Sequence, residues 1–216
     1  MPEELLAGLE EFMQSSEAST LMRLAKDGQH PTALLISCMD SRCIPATVFT
    51  ARPGKFFPHS PMGALVPHPD NEQPPSELRA KIKYAIEHVG VTDLIVVGHT
   101  QCGAINALIN AIEDEDIAPW VHVAKGACDI ASEKVDDTDD KEALQAETER
   151  QAVIQSVENL KQYPVVSSAL KDEKIKVHGW LLDIADGHVH ELDQDTKTFK
   201  KRLFSFEMPA KAEQRG

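Results

Sequence analysis

The sequence predicts an α/β domain with a largely parallel central sheet, flanking helices and a C-terminal antiparallel hairpin edge. Three observations predict it. Short apolar runs without period-two alternation, Ala33-Leu34-Leu35-Ile36 and Leu94-Ile95-Val96-Val97, fit strands buried on both faces. Stretches of helical spacing separate these runs, and strand-helix alternation is what crossover connections between parallel strands require. Near the end, Asp186-Gly187 sets two strand-like runs close together, which suits a hairpin turn.

The elements follow in order. Residues 4–26 carry Leu5, Leu6, Leu9, Phe12 and Met13, then Leu21, Met22, Leu24 and Ala25, a helical spacing broken around Ser15 to Ser19. They read as one or two amphipathic helices forming an N-terminal arm over residues 1–28. Pro31 bounds the first strand, which ends at Cys38, and Lys55-Phe56-Phe57 forms a second. Pro58 to Pro75 holds six prolines and one glycine and is expected to be irregular. Ser76 caps the helix SELRAKIKYAIEHVG, with Leu78, Ile82, Ala85, Ile86 and Val89 on one face and a stop at Gly90. Asp93 to Val97 is the strongest strand signal, and it runs through Gly98-His99-Thr100-Gln101-Cys102-Gly103 into the helical AINALINAIEDE. The acidic residues 133–149 read as a solvated connection, helix returns at about 142 to 162, and Lys174 to Leu181 and Val189 to Leu192 read as strands. The expectation is a single domain, with an α/β core over 29–195 and a tail over 196–216.

Composition limits the functions open to such a domain. At 216 residues the chain can enclose one sizeable core. Its 22 basic and 35 acidic residues leave a net charge of −13, which disfavours nucleic acid and anionic membrane as partners. No apolar run approaches the roughly 20 residues that span a bilayer. Four cysteines are too few for a disulfide scaffold, and the start MPEELLAGLEEF contains no apolar signal region, so a cytoplasmic protein with reduced thiols is expected. Small solutes are the expected ligands.

The chemistry collects where two strands end, which is where open α/β sheets bind ligands. Cys38 follows the first strand, and His99-x-x-Cys102 follows the strongest one. Each residue has a plain reading, Cys38 as a small buried apolar group and His99 as a hydrogen-bonded core residue. Together, two thiolates and one imidazole with one open position are the ligand pattern of a catalytic zinc, whereas structural zinc is closed by four. Asp40 and Arg42 stand two and four residues past Cys38, so an extended chain would point them to the same side as it. They are either a surface ion pair or a gate, with Asp40 choosing between the metal and the arginine. Cys43, at odd spacing from Cys38, would face the other way in an extended chain; a non-enzymatic, four-ligand zinc protein would need it as the fourth ligand.

Cys38-Met39-Asp40-Ser41-Arg42 and His99-Thr100-Gln101-Cys102-Gly103 resemble the C-x-D-S-R and H-x-x-C-G motifs of the beta class of carbonic anhydrases. The resemblance extends to Pro53-Gly54, the helix containing Tyr84, Tyr163-Pro164 and His178 to Ile184, covering roughly residues 25–195. It implies a zinc enzyme that interconverts carbon dioxide and bicarbonate through zinc-bound hydroxide, assembled as homodimers or homotetramers in which N-terminal helices wrap the partner. Cys38, His99 and Cys102 would be the zinc ligands. Asp40 would either ligate zinc or accept a hydrogen bond from the hydroxide, with Arg42 holding it in the second role. Gln29, Phe57, Tyr84 and Gly103 would line the substrate pocket. Leu35 stands where the bicarbonate-inhibited bacterial subgroup has tryptophan, which places the chain nearer the plant-like subgroup. Ser60-Pro61 replaces an arginine-asparagine pair usual in the family, so hydrogen bonding near the pocket or dimer seam should differ. Hydrolysis of carbonyl sulfide or carbon disulfide at the same zinc is the alternative reaction. Two thiolates should make the zinc a weak Lewis acid, so activity is expected to rise with pH, with His59, His68 and His178 as undistinguished candidates for carrying protons.

Overall fold

In chain order the strands are β1 (Ala33–Ser37), β2 (Phe56–His59), β3 (Asp93–His99), β4 (Lys176–Asp183), β5 (His188–Asp193) and β6 (Thr198–Lys201). They form one sheet in the order β2-β1-β3-β4-β5-β6, in a computed structural model that describes residues 2–72 and 76–202. The first four are mutually parallel, and β5 and β6 add the antiparallel edge. Every residue of β1 and all but the first of β3 are buried, as a parallel sheet covered on both faces demands. The α/β architecture expected from the sequence is the one observed. β6 lies inside the stretch expected to be the tail. Thr198-Phe199-Lys200-Lys201 is short and charged, and only Phe199, opposite Leu192, packs inward; lysines are typical protection for an exposed edge. The rest of that expected tail, residues 203–216, lies outside the described residues, as do 73–75 of the proline-rich loop.

The helices are α1 (Pro2–Gln14), α2 (Ser16–Asp27), α3 (Pro45–Val48), α4 (Glu77–Lys83), α5 (Gly103–Ile109), α6 (Ile117–Val121), α7 (Lys125–Lys134), α8 (Lys141–Gln162) and α9 (Pro164–Lys171). Ser15 and Ser76 accept backbone N–H bonds at the starts of α2 and α4. α4 widens into a π-turn over Tyr84–Val89 and stops at Gly90 in the left-handed region, at φ 80°. Of the acidic stretch 133–149 only residues 135–140 form a connection; the rest belongs to the end of α7 and the first turns of α8, and Glu149 within it is buried.

Side chains alternate between the two sheet faces. Leu34, Ile36, Leu94 and Val96 pack with Val153, Val157 and Leu160 of α8, while Leu35, Ile95 and Val97 pack with Ile105, Leu108 and Val121 on the other face. α8 presses closely on β3, for a Cβ at Gly98 would stand 2.5 Å from Val153 Cγ2. β1 has β2 on one side and β3 on the other, so the connections leaving β1 and β3 diverge. That switch point opens a crevice at their carboxyl ends. Among the described residues no helix is long and apolar enough to cross a membrane.

Candidate metal centre

Cys38, His99 and Cys102 converge at that crevice. Parallel pairing of Ser37 with Val97 brings the ends of β1 and β3 together, placing Cys38 beside His99. Gln101 takes a left-handed φ of 58°, which turns the chain sharply enough to set Cys102 at the start of α5. The ligand atoms of the three residues all lie within 4.8 Å of one another, and all three residues are buried. His99 Nδ1 is 2.8 Å from the Thr100 carbonyl oxygen. Because that oxygen only accepts, Nδ1 carries the proton and Nε2 is the free ligand atom. Nε2 is buried without a hydrogen-bond partner. An orphaned imidazole nitrogen grouped with two sulfurs is a donor set that fits zinc.

The charges favour a cation there. Burial opposes a protonated His99, but the Cys38 and Cys43 sulfurs outweigh it and lift the pKa of the ring to about 10, so a bound cation would take the place of a proton at Nε2. A hydrogen bond from Cys102 holds the Cys38 thiol well below its ordinary range against burial, with further help from His99 and from the Gly63 N–H, 3.3 Å from Cys38 Sγ. The neighbouring Cys38 sulfur, with burial, pushes Cys102 up, so the two sulfurs share a proton when no metal displaces it.

Asp40 stands at the rim, bound to arginine. Its Oδ1 accepts from Arg42 Nε at 3.0 Å and from the Arg42 backbone N–H at 2.9 Å, and its Oδ2 accepts from Arg42 Nη2 at 2.8 Å. These bonds hold the carboxyl well below the usual carboxylate range. Asp40 Oδ2 is still 3.9 Å from His99 Nε2, so the carboxylate borders the ligand group while remaining with Arg42. Beside it opens a cleft of about 290 Å³ lined by Cys38, Asp40, Met62, Gly103, Ala104 and Ile117.

Of the residues assigned to the pocket by resemblance, the fold brings Gly103 to this cleft and leaves three elsewhere. Gln29 is exposed in the loop before β1, at the strand end opposite Cys38. Phe57 packs with the core on the other face of the sheet, its ring 6.0 Å from that of Tyr84, which is 53% exposed. Cys43 departs from the extended-chain expectation because Ser41–Cys43 is a 3-10 turn, with a period near three. Its thiol donates to the Asp40 carbonyl at 3.4 Å and acts on His99, yet it falls outside the group of three.

The histidines separate by position. His178 binds Asp93 at 2.8 Å near the amino end of β3, and His68 lies on a loop beside Asp70. His59 is 3.3 Å from Lys81 Nζ and lines a larger cleft that shares Met62 and Ile117 with the one beside Cys38. In the departing segment, Ser60 Oγ lies 3.5 Å from Ser37 Oγ and the Pro61 carbonyl accepts the Met39 N–H at 3.2 Å.

Residues 33–189 match the family model described as "Carbonic anhydrase". This chain belongs to the beta-carbonic anhydrase family. A carbonic anhydrase of Pseudomonas aeruginosa is 33% identical over 186 residues, covering 84% of this chain and 82% of that protein. The solved beta-carbonic anhydrase CcaA superposes with a TM-score of 0.81 at 24% identity, covering 93% of this chain and 98% of that one, a likeness of fold. A beta-carbonic anhydrase of Sordaria macrospora, described as tetrameric, gives a TM-score of 0.72 at 25% identity over 89% of this chain and 93% of that one. Within this family member, Glu149 and Gln145 of α8 reach the metal group although no motif contains them. Glu149 is 4% exposed and accepts the Cys102 N–H at 2.8 Å. In the sequence it is one acidic residue in a charge run, and only helical spacing against Ala152, Val153 and Ser156 would have placed it on the buried face.

Proposed function

We propose that Cys38, His99 and Cys102 hold a zinc ion with which this carbonic anhydrase interconverts carbon dioxide and bicarbonate, and that Asp40 and Arg42 direct the reaction. The orphaned His99 Nε2 between two sulfurs carries this reading. When bound, zinc would supply a Lewis acid that makes water a nucleophile near neutral pH. Arg42 keeps Asp40 ionised and turned to the ligand group, where its Oδ2 can accept a hydrogen bond from the attacking water and fix its orientation. Met62, Ala104 and Ile117 offer apolar contact to carbon dioxide, and Gly103 leaves that wall without a side chain. The negative charge on Asp40 favours departure of anionic bicarbonate.

The assembly proposed is a homodimer or homotetramer in the cytoplasm, with residues 29–195 as the zinc-binding core, 1–28 as an arm and the remainder, β6 included, as a tail. Exposed Leu5, Leu6, Leu9 and Met13 on α1 support association. Gln29, Phe57 and Tyr84, remote from the metal group of their own chain, would serve the pocket of a neighbouring copy. Zinc stoichiometry tests the metal assignment: one zinc per chain is expected, lost in Cys38→Ser and kept in Cys43→Ser. Loss in Cys43→Ser would favour a closed four-ligand site instead.

A further inference from the structure

The peptide unit joining Gln101 to Cys102 is gripped at both ends. Arg42 Nη2 donates to its oxygen at 3.1 Å, and Glu149 Oε1 accepts its N–H at 2.8 Å. Gln145, one helical turn before Glu149, donates through Nε2 to Glu149 Oε1 at 2.9 Å and to the Cys102 carbonyl at 3.4 Å, while its own Oε1 accepts from Asn106 Nδ2 at 3.0 Å. α8 thus holds both backbone polar groups of Cys102, on a turn where the preceding residue has a left-handed φ of 58°. Cys102 itself makes no side-chain cap bond to α5, which leaves its sulfur free to point at Cys38 and His99.

A carboxylate only 4% exposed is a costly way to accept one N–H, since burial strips it of water. A charged acceptor makes the stronger bond, and a strong bond is what a non-glycine left-handed turn needs to stay in place. We propose that Glu149, braced by Gln145, is a positioning residue for the metal centre: it fixes the Gln101-Cys102 peptide against the pull of Arg42 and so sets where the Cys102 thiolate stands. This rests on the reading of Cys38, His99 and Cys102 as zinc ligands.

The experiment measures zinc affinity by chelator competition in full-length wild type, Glu149→Ala, Glu149→Gln and Gln145→Ala. It adds the thiolate-to-cobalt absorption of the cobalt-loaded proteins and the thermal midpoint of each metal-free form. Glu149→Ala is expected to lose about 10- to 100-fold in zinc affinity and to shift the cobalt band. Glu149→Gln, which keeps an acceptor oxygen, should recover most of that loss, with Gln145→Ala between them. Zinc affinity in folded Glu149→Ala within twofold of wild type, or equal losses in the Ala and Gln variants that track only the thermal midpoint, would overturn the positioning role. Should Glu149→Ala fail to fold, the Gln145→Ala affinity and cobalt band decide, and unchanged values there overturn it. Wild type that takes up neither metal would instead overturn the zinc centre itself.

Discussion

Arg42 grips Asp40 with its guanidinium edge, Nε to Oδ1 at 3.0 Å and Nη2 to Oδ2 at 2.8 Å, and the same Nη2 reaches the Gln101 carbonyl at 3.1 Å. One side chain therefore orients the rim carboxylate and the peptide that carries Cys102. Lysine has a single ammonium and cannot reproduce the fork. Arg42→Lys and Arg42→Ala should each lower kcat/KM for carbon dioxide hydration by about 10²-fold while zinc stoichiometry stays at one. Unchanged kcat/KM in Arg42→Ala would reduce the pair to a surface ion pair.

His59 makes part of the stability pH-dependent. Burial, then the nearby Lys81 cation, lower its pKa below the ordinary 6.5, outweighing Glu77 and Glu72. The unfolded chain therefore binds more protons than the fold as pH drops below 6.5, and stability must rise with pH across that window. The urea midpoint of wild type should fall more between pH 7 and pH 5 than that of His59→Gln. Equal falls would remove His59 from the account.

Gly98 precedes His99 and lies where α8 presses on β3. A Cβ there meets Val153 Cγ2 at 2.5 Å, so Val153 or the helix that carries it must shift to admit it. Gly98→Ala should cost about 1–3 kcal/mol in urea unfolding, as overpacking does. A smaller loss would show that Val153 can swing aside.

Much of this candidate centre can be read from the sequence because the residues that could hold a metal are local to strand ends. Cys38 and His99 each sit where a short apolar run stops, and the motif spacing survives whatever turns lie between. Cys43 could not be placed this way, since a 3-10 turn and an extended segment differ in period and the residues 41–43 permit either. Glu149 was hidden for another reason. Charge predicts solvent, and only the packing of α8 on β3 turns that carboxylate inward. Phe57 and Tyr84 show the converse, since the family resemblance assigns them to the pocket while Phe57 packs on the other face of the sheet from Cys38 with Tyr84 beside it.

The exposed apolar row of α1 has its own consequence. Leu6 and Leu9 are 61% and 53% exposed, more than a monomer's helix needs. Leu6→Glu with Leu9→Glu should reduce the mass measured by light scattering, and with it the activity, if a neighbouring copy supplies Phe57 and Tyr84. An unchanged mass would place the interface elsewhere.

The most direct test of the central claim is stopped-flow hydration of carbon dioxide by the zinc-loaded protein at alkaline pH, with Cys38→Ser and Asp40→Ala beside it. The account expects a rate far above buffer that rises with pH, abolished with the zinc in Cys38→Ser and strongly reduced in Asp40→Ala despite retained zinc. A wild-type rate equal to buffer, with zinc bound, would contradict it.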